Sequence, residues 1–200
     1  MSSDDRLSYA IDGSDRIVSV NNEWAAFAQS NAGTELLPPG ILGTSLWTAI
    51  QDASTRELYR LILRRVRAGT TDVVFQFRCD SPGHRRLLEM RVESGAEEYV
   101  KFSTTTVARE ERIAVPLLDA TQARSDDLLT VCSWCMCVVL PDETWVDVEQ
   151  AVAKLELFDA AQLPLVTHGM CPRCFDVMSS AIADTNAAWP PDVILGRLET

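Results

Sequence analysis

Two Cys-x2-Cys pairs, Cys132-Ser133-Trp134-Cys135 and Cys171-Pro172-Arg173-Cys174, stand 35 residues apart in a chain of 200. A Cys-x2-Cys turn aims both sulfurs at one ion while nearby backbone amides approach the thiolates. Two such turns close a tetrahedral four-thiolate site. A segment this short and acidic has little core, so a metal would supply folding free energy. A redox dithiol needs only one doublet, set in a thioredoxin-like strand–helix context that this sequence lacks. Cys132, Cys135, Cys171 and Cys174 are therefore the expected metal ligands.

Two neighbours complicate the set. Cys137 lies two residues beyond Cys135, so on a strand it shares that residue's side. It is either packing or a thiol able to exchange with the site. His168 precedes Cys171 by three residues and is expected to orient a ligand from the second layer, with replacement of one thiolate or a plain surface position as the alternatives. Zinc is the expected metal for four thiolates beside a helix. Iron competes, because Cys-Pro-x-Cys also closes rubredoxin-type sites; those favour Gly after the first doublet, where Met136 stands.

Between the doublets the pattern reads strand, turn, helix. Val138-Val139-Leu140 precedes Pro141-Asp142-Glu143, and Val148, Ala151, Val152 and Leu155 form an apolar stripe for a helix of about 146–158. The second doublet opens another helix, with Pro172 in its first turn and Phe175, Met178 and Ile182 at helical spacing. Knuckle, hairpin, then knuckle at a helix start is a treble-clef-like arrangement.

The first half of the chain has a different grammar. Leu7–Ile11 and Arg16–Val20 flank Asp12-Gly13-Ser14-Asp15, a hairpin signal. Asn21-Asn22 caps a helix bearing Trp24, Phe27 and Ala28, and Ser45–Asp52 reads as a short helix. Ser54-x-x-Glu57 is a capping box for a helix over 55–68, with Leu58, Leu61, Ile62 and Val66 inward and Arg56, Arg60, Arg64 and Arg67 outward. Three alternating strands follow, 72–80, 85–93 and 99–107, implying an antiparallel sheet with one buried face.

This order, with "VNNEWAAFA", "GTSLW" and the long helix running into three closing strands, resembles a PAS domain. The resemblance implies an α+β fold with a PAS-like five-stranded antiparallel sheet and flanking helices, acting as a sensory or interaction module. Its flavin-photosensing motif is absent, and the 54–69 helix carries no histidine for haem, so the pocket ligand is left open. The segment "VCSWC…W…VEQAV…THGMCPRCF" is similar to a cysteine-rich extension found beside PAS or receiver domains in bacterial signalling proteins. That family tends to carry basic residues after the first doublet, where this chain has Met136-Cys137.

The expected division is a PAS-like sensory domain over 1–110, a linker over 111–128, a zinc-binding module over 129–185 and a tail over 186–200. Leu117-Leu118 and Leu128-Leu129 are expected to dock on the sheet. Charge is uneven: 13 Lys/Arg against 15 Asp/Glu up to residue 110, and 5 against 14 after it. The acidic second half is a poor partner for phosphates, so nucleic acid is not expected. The start of the chain reads as no secretion signal and no apolar run reaches membrane length, so a cytoplasmic protein is expected. No catalytic constellation is visible, so an enzyme is not expected. The function expected is cytoplasmic signal transduction by contact with a protein partner, or with a second copy as a homodimer. The alternatives are a thiol redox switch using the two cysteine clusters and an iron–thiolate electron carrier.

Overall fold

Alternating apolar residues and turn chemistry build the first sheet. In the computed structural model, which describes residues 6–30, 33–69, 72–158 and 160–183, strands β1 (Leu7–Ile11), β2 (Ile17–Val20), β3 (Val73–Arg78), β4 (His84–Ser94) and β5 (Val100–Glu111) form one antiparallel sheet. Its order is β2-β1-β5-β4-β3. Asp12 makes the β1–β2 turn by accepting from the Ser14 and Arg16 amides through Oδ1 at 2.8 and 2.9 Å. Long pairings, such as Leu7 opposite Thr104, join the ends of this half of the chain.

Helices α1 (Asn22–Ser30), α2 (Leu46–Ala49) and α3 (Ala53–Arg67) lie between β2 and β3 in the chain. Helix α3 starts two residues earlier than the capping box implies. Asp52, not Ser54, is the N-cap, its Oδ2 accepting from the Thr55 amide at 2.7 Å and the Thr55 hydroxyl at 2.8 Å. Leu58, Ile62, Leu63 and Val66 are its buried apolar residues, part of the same core cluster as the sheet. The arginine row is not a uniform solvated face. Arg56 donates to the Trp47 and Ile50 carbonyls, and Arg67 to Asp12 O and Asp15 Oδ1.

The second half carries a four-stranded sheet, β6 (Arg124–Cys132), β7 (Cys137–Val139), β8 (Trp145–Asp147) and β9 (Leu163–Gly169), in the order β8-β7-β6-β9. Helix α4 (Val148–Lys154) is shorter than the apolar stripe suggested, because Val146 belongs to β8 and Glu156 turns left-handed at φ 54°. Helix α5 (Pro172–Ala183) has Pro172 in its first position. The segment expected to link two modules is ordered: β5 runs to Glu111, Pro116–Leu118 form a 3-10 turn, and β6 begins at Arg124. Leu117 is fully buried beside Leu129 and Val131 in the second core, not on the first sheet, and Leu128 is 71% exposed. No described helix is long and apolar enough to cross a membrane.

Successive residues of a strand face opposite ways, and β6 uses this to serve two cores. Val131 packs with Val138, Val148, Ala151 and Val152, while Cys132 joins Leu58, Ile62, Phe75 and Phe102 of the first unit. Charge then fixes the junction. Arg78, 4% exposed at the end of β3, pairs with Asp80 and, at 2.8 Å, with Asp147 of β8. Arg112 joins Asp80 to Glu149 of α4 at 2.9 and 2.8 Å, and Arg85 reaches Glu149 at 2.9 Å. Burial works against the Arg78 charge, but Asp80 and Asp147 outweigh it and raise its pKa.

Arg78→Met leaves Asp147 without its cation and Asp80 with Arg112 alone, and we expect a loss of about 3–5 kcal/mol in denaturant unfolding; a loss under about 1 kcal/mol would contradict this picture. Burial opposes ionisation of Glu149, yet hydrogen bonds from Arg85 and Arg112 hold its pKa well below the usual value. A depressed pKa gives stability that is present above the unfolded value of about 4.3 and is lost as pH falls below it. Glu149→Gln is expected to flatten the loss of stability below about pH 4, measured by thermal unfolding across pH.

Candidate metal centre

The topology brings the doublets together. Strands β6 and β9 run parallel, with Cys132 opposite Gly169. The first doublet starts on the last residue of β6, and the second starts two residues after the end of β9. Both therefore leave the same end of one parallel pair, and the Ser133 amide donates to Gly169 O at 2.9 Å. A Cβ at Gly169 would lie 3.0 Å from the Thr130 methyl, closer than ordinary van der Waals contact.

The sulfurs of Cys132, Cys135, Cys171 and Cys174 all lie within 4.8 Å of one another. The Cys135 and Cys171 sulfurs are 3.8 Å apart. Metal–sulfur bonds of about 2.3 Å in a tetrahedron give sulfur–sulfur edges of about 3.8 Å. The Cys171 amide donates to Cys132 Sγ and the Cys174 amide to Cys171 Sγ, both at 3.4 Å. Such bonds stabilise thiolates. The donor set, its spacing and its amides thus fit one metal ion, and a closed set of four sulfurs suits a structural role. Crowding polarises the thiols: S–H donation from Cys135, Cys171 and Cys174 lowers the Cys132 pKa, and donation to Cys132 pushes Cys135 up to about 12.

Met136 follows the first doublet with a left-handed φ of 60°. This is the conformation glycine takes most easily. Met136 accepts it while being buried in the second core. Its identity therefore does not count against the iron-type knuckle, since the backbone adopts that shape without Gly.

Cys137, the first residue of β7, is buried and adjoins Cys135. It is outside the four-sulfur group. His168 is outside it too, and among the described residues it makes no hydrogen bond to a sulfur. It is exposed at the edge of a cleft near the site, where partial desolvation lowers its pKa. Cys79 lies just past β3, away from the cluster, with burial raising its pKa. His84 opens β4 and contacts Arg109 at 2.8 Å through its ring. The tail over 186–200 lies outside the described residues.

Sequence reasoning missed two contributors. Trp134, inside the first doublet, is 3% exposed, and its ring centroid lies 5.4 Å from that of Phe75 and 6.1 Å from that of Tyr59. Arg78 grips the same turn from below: its amide donates to Trp134 O at 2.8 Å and its guanidinium to Cys135 O at 3.3 Å. A buried-type residue between two ligands was a readable signal for Trp134. Nothing in the sequence marked Arg78.

No family model and no curated protein matches this chain. Among solved structures it is similar to a domain of HTR-like protein from Haloarcula marismortui ATCC 43049. That match has 10% identity and a TM-score of 0.33 over 52% of this chain and 98% of that one.

Trp134→Ala removes an indole from the shared core and is expected to cost about 3–5 kcal/mol. Hydrogen exchange should rise in α3 and β3 as well as around the cysteines. Exchange confined to residues 124–183 would mean that the two halves are energetically separate.

Proposed function

We propose that this chain is a sensory and interaction module, in which a PAS-like five-stranded unit is coupled to a zinc-holding unit and its output is a protein contact. The observation that carries this reading is the position of Trp134, held between two metal-ligating sulfurs and packed in the core of the sheet–helix unit. A change in the packing of α3 on β3 would be felt at the knuckle. The strand order β2-β1-β5-β4-β3, with helices between its second and third strands, supports the PAS-like assignment, and the hairpin between the doublets supports the treble-clef-like one. Zinc would be held by Cys132, Cys135, Cys171 and Cys174, supplying cross-linking rather than chemistry. With no open coordination position, the ion's role is to fix α5 and β9 to the first doublet.

Elemental analysis of untagged protein purified without added metal tests the cofactor. We expect about one zinc per chain and no visible absorption; iron with thiolate-to-metal colour would replace this reading with electron transfer. Cross-linking in the native cell tests the output. The expected result is a heterologous protein trapped by the wild type and lost when Cys171→Ser removes the metal. Trapping that is indifferent to the metal would overturn the proposed route.

The contact between Cys137 and Cys135 favours one second reading, a thiol switch in which oxidation releases the metal. Under mild peroxide, Cys137→Ser should then hold its metal several-fold longer than wild type. Equal release rates would leave Cys137 as packing.

A further inference from the structure

Helix α3 is a basic element in an acidic chain. It carries Arg56, Arg60, Arg64, Arg65 and Arg67 against Glu57, while the whole chain has a net charge of −11. Arg60, Arg64 and Arg67 line a shallow groove of about 590 Å3 together with Trp47 and Leu63.

The three arginines are not equally engaged. Arg67 is spent on Asp15 Oδ1 at 2.7 Å and on Asp12 O at 2.9 Å. Arg60 and Arg64 share one carboxylate among the described residues, Glu57, at 3.9 and 3.5 Å. Their side chains are 55% and 69% exposed, so one of these two charges faces solvent without a matching anion. The Arg60 guanidinium lies 5.3 Å from the Trp47 ring centroid, which covers one of its faces. A guanidinium plane takes an aromatic ring on its face and a carboxylate at its edge. The open side of this groove therefore suits a segment that carries one aromatic ring and one acid.

The chain supplies a segment of that chemistry close by. Helix α5 ends at Ala183 beside α3, where Arg65 donates to Ile182 O at 2.7 Å. Arg64 and Arg67 belong to the same turn of α3 as Arg65. Residues 184–200 thus start roughly one helix diameter, 10–12 Å, from the groove. The stretch from Asp184 to Trp189 reaches at most about 20 Å, enough to cross that width. Trp189 is followed by Pro190, Pro191 and Asp192, and the tail carries Asp184, Asp192 and Glu199 against Arg197. A tethered segment meets its site at an effective concentration of roughly millimolar, so a weak contact suffices.

We propose that the tail docks back on α3, Trp189 covering the open face of Arg60 and Asp192 supplying the missing anion for Arg60 and Arg64. Trp189 and Asp192 are three residues apart, and Arg60 and Arg64 are one turn apart, about 6 Å along the helix, so both contacts form together. The docked tail masks the basic face of α3, and a partner that binds there must first displace it. This contact goes beyond the sensory reading and does not depend on it.

The test uses the full-length protein with a photoreactive benzoylphenylalanine in place of Trp189. Irradiation and peptide mapping are expected to show an adduct at monomer mass on Trp47 or on residues 60–68. Asp192→Arg, a change confined to the tail, should lower the adduct yield several-fold and leave the unfolding transition unchanged. Arg60→Glu with Arg64→Glu should lower the yield as much, and all three changes together should restore it, because the charges are then exchanged. An adduct at dimer mass would give the groove to a second copy and overturn the proposal. Adducts on other segments, a yield indifferent to Asp192→Arg, or no recovery in the charge exchange would overturn it too. If the arginine variants fail to fold, the adduct map and Asp192→Arg decide.

Discussion

Trp134 cannot leave its place without opening two structures at once. It sits between two of the clustered cysteines, so its backbone is set by the turn that aims their sulfurs. Its ring lies among Phe75 and Tyr59, so its side chain is set by the sheet and α3. A four-thiolate centre on a tethered bead would stabilise only the bead. Here Cys132, Cys171, Cys174, Met178 and Ile182 belong to the same apolar cluster as Leu58 and Phe102. The folding energy that a metal would contribute there would therefore be shared by the whole cluster.

The junction also contains charge, and that has a geometric effect. Arg78, Asp80 and Arg112 have side chains 7% exposed or less. Buried ions are tolerated only when paired and hydrogen-bonded. A slide of one sheet over the other by a residue would separate Arg78 from Asp147 and Arg112 from Glu149, stranding them away from water. Apolar packing alone would permit several neighbouring arrangements; the ion pairs single out one.

Much of this was readable in the chain, and the exceptions have causes. The alternation at Val73, Phe75 and Phe77 and the period through Leu58, Ile62 and Val66 gave strand and helix faces that the structure keeps. The four cysteines that meet were legible because turn geometry ties residue type to spacing. Strand β9 was not anticipated: Pro164 breaks its pattern, as an edge strand permits, and only its two end residues, Leu163 and Gly169, are buried. The beginning of β6, Arg-Ser-Asp-Asp, looked like loop for the same reason. The capping box pointed to Ser54, whereas Asp52, read as the end of the preceding short helix, is the residue that caps α3. Arg78 looked like any strand arginine, since Asp147 stands 69 residues away.

The parallel pairing of β6 with β9 has a consequence for how the chain is made. A nascent chain that has emerged only to residue 111 can close the five-stranded sheet, because β5 is the last strand it needs. Its Phe75 and Tyr59 then lack the indole that covers them, and Arg78 lacks Asp147. The cover arrives with residue 134, but the turn bearing it is not pinned until Gly169 and the second doublet follow. At roughly 5–20 residues per second, translation leaves an apolar, charged surface exposed for seconds in every round of synthesis. The order of the halves in the gene thus sets a window of aggregation risk that the finished fold does not reveal.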